Sequence, residues 1–150
     1  MAIAALLGLM TSTTLLLGGC SSAGPTSSTE DRSGPRTVSW QVVAKTLPGA
    51  VLSVHGTAAD DVWVAGAKGG TSGLAAHWDG QAWTRLDTQT PYDLWWVHAL
   101  SKDDVFFGGS GASILHWDGK ALHRMKTPGI AAHTVYGIWG SGPDDVYAVG

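Results

Sequence analysis

Residues 103–119 read DDVFFGGSGASILHWDG, and this stretch decides the fold. An Asp-Asp pair opens a short run of β-branched and aromatic residues, Val105–Gly109. Small and polar residues follow, then a second apolar run, Ile114–Trp117, closed by Asp118-Gly119. β-branched and aromatic runs bounded by Gly, Asp and Ser read as strands and turns, and Asp-Gly between two such runs is a tight-hairpin signal of the type I′ kind. The pattern recurs on both sides. Asp-Asp-Val-aromatic appears at Asp60-Asp61-Val62-Trp63, at Asp103-Asp104-Val105-Phe106 and at Asp144-Asp145-Val146-Tyr147, and His-Trp-Asp-Gly appears at 77–80 and 116–119. Trp40 and Trp83 stand in the same relation, each followed at equal distance by Pro48 or Pro91 and by Val54 or Val97. These independent markers share a period of about 41 residues.

Each unit reads as four short strands. The first is Val51–Gly56, Leu94–Ala99 or Val135–Gly140, and the second is Val62–Gly66, Val105–Gly109 or Val146–Gly150. The third is Leu74–Trp78 or Ile114–Trp117, and the fourth is Ala82–Leu86 or Ala121–Met125. No helical period appears after residue 37. The expected fold is all-β: a partial β-propeller of four-stranded antiparallel blades over residues 38–150. The Asp-Asp-Val-Trp and His-Trp-Asp-Gly pattern, carried by Gly140–Gly150, Asp103–Gly109, Leu115–Gly119 and Ala76–Trp83, resembles the Trp-rich propeller repeats of secreted bacterial lipoproteins common in myxobacteria. WD-type, kelch and tectonin repeats are neighbouring readings. Residues 38–150 hold about 2.75 units, whereas a ring closes with four to eight blades. The remaining blades are expected in a longer chain, with assembly of several copies as the alternative.

The N-terminal segment reads as an address. All Lys, Arg, Asp and Glu lie after Cys20, and the two apolar clusters Ile3–Met10 and Leu15–Leu17 are split by four hydroxyl residues. A spanning helix needs about 20 predominantly apolar residues, so an export signal over residues 1–19 fits better. Leu17-Gly18-Gly19-Cys20 resembles a bacterial lipobox. That resemblance implies cleavage before Cys20 and membrane attachment through acyl chains on it, and Ser21 after the Cys resembles an outer-membrane sorting signal. Residues 20–37 are small, polar and Pro-containing, which suits a flexible linker.

Composition narrows the function classes. The 150 residues carry a net charge of −3, which argues against a nucleic-acid partner. One Cys forms no internal disulfide, and no cluster at metal-ligand spacing accompanies it, so neither metal nor cofactor is expected. No nucleophile elbow or His-Glu-x-x-His helix is present, so no enzyme activity is assigned to these residues. The recurring Asp60, Asp61, Asp103, Asp104, Asp144 and Asp145 read as turn residues bonding backbone N–H groups. Trp63, Trp78, Trp83 and Trp117 read as packing between units, and His77 and His116 as hydrogen-bonded structural residues.

Functional residues in a repeat protein break the repeat. The first strand does so in two columns on one face, Ser53, Trp96, Gly137 and His55, His98, Trp139. Trp96, Trp139, His55 and His98 are therefore the candidate ligand-binding residues, with aromatic faces suited to sugar rings. A four-residue insertion, within Lys68–Gly73, reads as a mobile Gly-rich loop. The expected function is a binding or scaffold module for glycan or protein in the cell envelope. The alternative is the N-terminal part of a propeller glycoside hydrolase or lyase with catalytic residues beyond Gly150.

Overall fold

The computed structural model describes residues 39–130 and 132–150. The signal segment, Cys20 and the whole linker lie outside the described residues. The chain divides into two units, Met1–Trp40 and Gln41–Gly150, and the second holds every described strand.

The described residues are all-β, with no helix among them. The first sheet runs β1 (Val51–Ala58), β2 (Asp61–Gly66), β3 (Leu74–Trp78) and β4 (Trp83–Arg85), in that spatial order. The second repeats it as β5 (Leu94–Ser101), β6 (Asp104–Gly109), β7 (Ser113–Trp117) and β8 (Leu122–Arg124). The third is a hairpin of β9 (Gly137–Gly142) and β10 (Asp145–Val149). Every pairing is antiparallel and between chain neighbours, the low-cost way to build a sheet from short connections.

Three details differ from the sequence expectation. The first strands run two residues further, because Ala58 pairs with Asp61 and Ser101 with Asp104 across two-residue turns. β9 starts at Gly137 rather than Val135, since the Val135 N–H donates to Gly109 O on β6 instead of to its own hairpin. The Asp-Gly turns are not type I′. Within these turns Gly80 (φ +90°) and Gly119 (φ +84°) alone have positive φ, and the turns are wider, with Asp79 accepting the Gln81 and Ala82 N–H groups and Asp118 those of Lys120 and Ala121, at 2.8–2.9 Å.

The sheets stack by opposite faces. Residues opposite one another in a ladder share a face. Trp63, Ala65 and Ala75 of the first sheet pack against Leu94, Val97, Ala99, Val105, Phe107 and Leu115 of the second. Phe106 on the other face of the second sheet then packs against Val135 and Ile138 beside the third. Phe107 is fully buried and Trp63 is 1% exposed. Truncating such a residue costs about 3–5 kcal/mol, so these two side chains anchor the first interface. Trp117 closes on Trp63 across it, with ring centroids 5.9 Å apart, while Trp78 and Trp83 pair within the first sheet at 5.7 Å.

The inserted loop is tied down rather than free. Arg85 on β4 donates to Gly69 O and to both the O and Oγ of Ser72, and the Lys68 N–H donates to Asp93 Oδ1 at 2.8 Å. Arg124 on β8 does the same to Gly111 O and Ser113 Oγ.

Candidate functional site

The Asp-Asp pairs divide their work. The second Asp of each pair begins the second strand and takes side-chain donors, not the backbone N–H groups expected of a turn residue. Asp61 Oδ1 accepts from Trp63 Nε1 at 2.9 Å and from His77 Nε2 at 2.8 Å, and its Oδ2 accepts from the Thr57 hydroxyl. Asp104 meets His116 Nε2 at 2.7 Å, and Asp145 accepts from Ser141. Burial pushes the Asp61 carboxyl up, but the bonds from Thr57, His77 and Trp63 outweigh it and hold the group below the ordinary carboxylate range. The imidazoles stack flat on the aromatic residue of the second strand, His77 on Trp63 at 4.0 Å and His116 on Phe106 at 4.4 Å. The first Asp of the first two pairs sits against the third-to-fourth-strand turn, with Asp60 against Gly80 and Asp103 against Gly119. Each His–Asp pair ties the third strand of its sheet to the second. Among the described residues no group of three His, Cys, Asp or Glu side chains could hold a metal ion.

The four residues singled out on the first strands fall into two pairs with different surroundings. His55 and His98 lie 4.9 Å apart by ring centroid. Each receives a backbone N–H from the next sheet. The Ala99 N–H donates to His55 Nδ1 at 3.0 Å, and the Gly140 N–H donates to His98 Nε2 at 3.1 Å. Ser53 Oγ likewise accepts the Val97 N–H at 3.1 Å. These amides lie on strand edges facing away from their own ladders, and a side-chain acceptor from the neighbouring sheet satisfies each. Burial, and then the nearby His98, push the His55 imidazole below the ordinary histidine range.

Trp96 and Trp139 share a groove. They line one apolar groove of about 170 Å³ with Gly137, Ile138, Tyr147 and Val149. Trp96 is 41% exposed and Trp139 58%. Tyr147 stands directly opposite Trp139 in the β9–β10 ladder, 6.4 Å away and 62% exposed. Its counterparts Trp63 and Phe106 are each covered by a histidine of their own third strand and by the next sheet, whereas Tyr147 has neither in this structure.

A second exposed aromatic pair escapes the sequence reading. The register shifts between Val51 and Ser53 and between Leu94 and Trp96, so Leu52 and Trp95 are bulge residues. Trp95 is exposed, donates Nε1 to Ser110 Oγ at 3.0 Å and meets exposed Tyr136 edge to face at 5.9 Å. The signal was available: Leu52, Trp95 and Tyr136 occupy equivalent repeat positions and vary as freely as the columns chosen. No protein-family model, no curated protein and no solved structure matches this chain.

Proposed function

We propose that this chain is an exported, lipid-anchored protein of the cell envelope whose repeats form blades of a β-propeller serving as a rigid binding module. One observation carries the propeller reading. The first strands of the three sheets, β1, β5 and β9, run side by side and are stitched by the Ser53–Val97, His55–Ala99 and His98–Gly140 bonds. A radial stack of four-stranded sheets needs its innermost strands adjacent in this way. The lipid anchor rests on Leu17-Gly18-Gly19-Cys20 alone.

The ligand proposed is a glycan that stacks on Trp96 and Trp139. Both indoles line one groove without a charged lining residue, which favours a neutral ring over an ion. His55 and His98 stitch the adjacent first strands together. Fold alone does not fix this function, so the test addresses the residues. Trp96→Ala and Trp139→Ala in the full chain are expected to abolish glycan-array signal with little change in melting temperature. Unchanged signal overturns the glycan reading, and a large loss of melting temperature assigns the indoles to packing. Cys20→Ser is expected to remove the protein from the membrane fraction, and unchanged partition overturns the anchor.

A further inference from the structure

We infer that His55 is an acid-released latch between the first and second sheets, held shut by the Ala99 N–H. The geometry requires a neutral ring. A nitrogen that accepts a hydrogen bond carries no proton, so the neutral tautomer bears its hydrogen on Nε2 and offers Nδ1 to Ala99 at 3.0 Å. Protonation of Nδ1 sets two N–H groups against each other and ends the bond.

The neighbours add to the effect. His98 is the one ionisable side chain on β5, and its ring centroid lies 4.9 Å from that of His55. β1 carries no other ionisable residue and β9 carries none. On β2 the residue opposite His55 is Trp63, and the strand's carboxylate, Asp61, is already occupied by Thr57, Trp63 and His77. On β6, Asp104 is taken by His116, and on β10, Asp145 is taken by Ser141, with Tyr147 the remaining ionisable group. No free anion on these strands waits to accept a charged His55.

The two histidines differ in what protonation leaves them. His98 Nε2 lies 3.1 Å from the Gly140 nitrogen and 3.2 Å from the Gly140 oxygen, so a protonated ring turns from acceptor to donor on the same residue. His55 has no such second partner among the described residues. Protonation of His55 therefore opens the seam between β1 and β5 at Ala99. The neighbouring Val97 N–H is held by the Ser53 hydroxyl, which does not titrate, and it marks the fixed end of the opening.

Hydrogen exchange of the full chain tests this, with rates corrected for the intrinsic effect of pH. Between about pH 7.5 and pH 5, the Ala99 amide is expected to lose about tenfold in protection while Val97 changes less than about twofold. His55→Asn places an amide oxygen near the Nδ1 position, accepts the same N–H at every pH, and is expected to flatten the Ala99 profile. Nitrogen-15 shifts of the wild-type His55 ring give a readout independent of that variant, with Nδ1 bare at about pH 7.5 and protonated over the interval in which Ala99 protection falls. Equal loss at Ala99 and Val97, no loss at either, or a protonated Nδ1 at neutral pH overturns the latch.

Discussion

His77 on β3 places its Nε2 2.8 Å from Asp61 Oδ1 on β2, and the same bond recurs one repeat later between His116 and Asp104 at 2.7 Å. The two copies differ in burial. Asp61 is buried and serves three donors, whereas Asp104 is half-buried and serves one side chain.

Asp61→Ala leaves Trp63 Nε1, the Thr57 hydroxyl and the His77 ring without their acceptor. An unsatisfied buried donor costs about 1–3 kcal/mol, so a loss of about 3 kcal/mol is expected, against about 1 kcal/mol for Asp104→Ala. Urea melts of the two variants check the order, and equal losses would show that the extra donors of Asp61 contribute nothing.

Phe107→Ala removes a ring with no solvent exposure from the interface between the first two sheets. The expected loss is about 4 kcal/mol, by cavity formation and lost transfer energy. Val42→Ala, at a site 75% exposed, is expected to change stability by less than about 0.5 kcal/mol. Thermal unfolding of both variants measures the contrast.

Gly119→Ala forces a side chain onto a backbone at φ +84° and brings its Cβ within 2.9 Å of Asp103. A loss of about 1–2 kcal/mol is expected from strain and crowding together. Gly142→Ala meets nothing within 4 Å and has no positive φ, so it is expected to be tolerated. Denaturant midpoints separate the two.

Acid stability follows the carboxylates. The Ala121 and Lys120 N–H groups, with His123 beside them, pull the Asp118 carboxyl down to about 2, and the Ala82 and Gln81 N–H groups lower Asp79 in the same way. A carboxyl depressed in the folded state contributes stability that is complete above its ordinary value of 3.8 and is lost as pH falls through the folded value. Melting temperature is therefore expected to hold between about pH 5 and 7 on account of these groups and to fall from about pH 4 towards 2. Asp118→Asn is expected to flatten part of that fall, and an unchanged acid limb would detach Asp118 from it.

The strands were legible because each unit repeats its own punctuation. Asp-Asp, Asp-Gly and the Gly-rich junctions bracket every apolar run, and the four strands of each complete unit fall where those brackets place them. Register was not legible. A bulge adds one residue without altering the apolar pattern, so the place of Trp95 outside the pairing is not visible until the ladder is counted. The partnership of Asp61 with His77 was hidden for the same reason: it depends on Trp63 pairing with His77 across β2 and β3. The tie from Arg85 to the inserted loop follows from the fold of that loop, which composition alone does not specify.

The bulge at Leu52 and Trp95 has an evolutionary consequence. A residue that the ladder does not count can change identity without shifting any strand or emptying any interface. Leu52 and Trp95 therefore form a rank whose substitutions escape the register constraint that binds Trp63 or Phe107. Selection can rewrite this rank one repeat at a time, giving each sheet its own surface chemistry while the scaffold beneath stays the same.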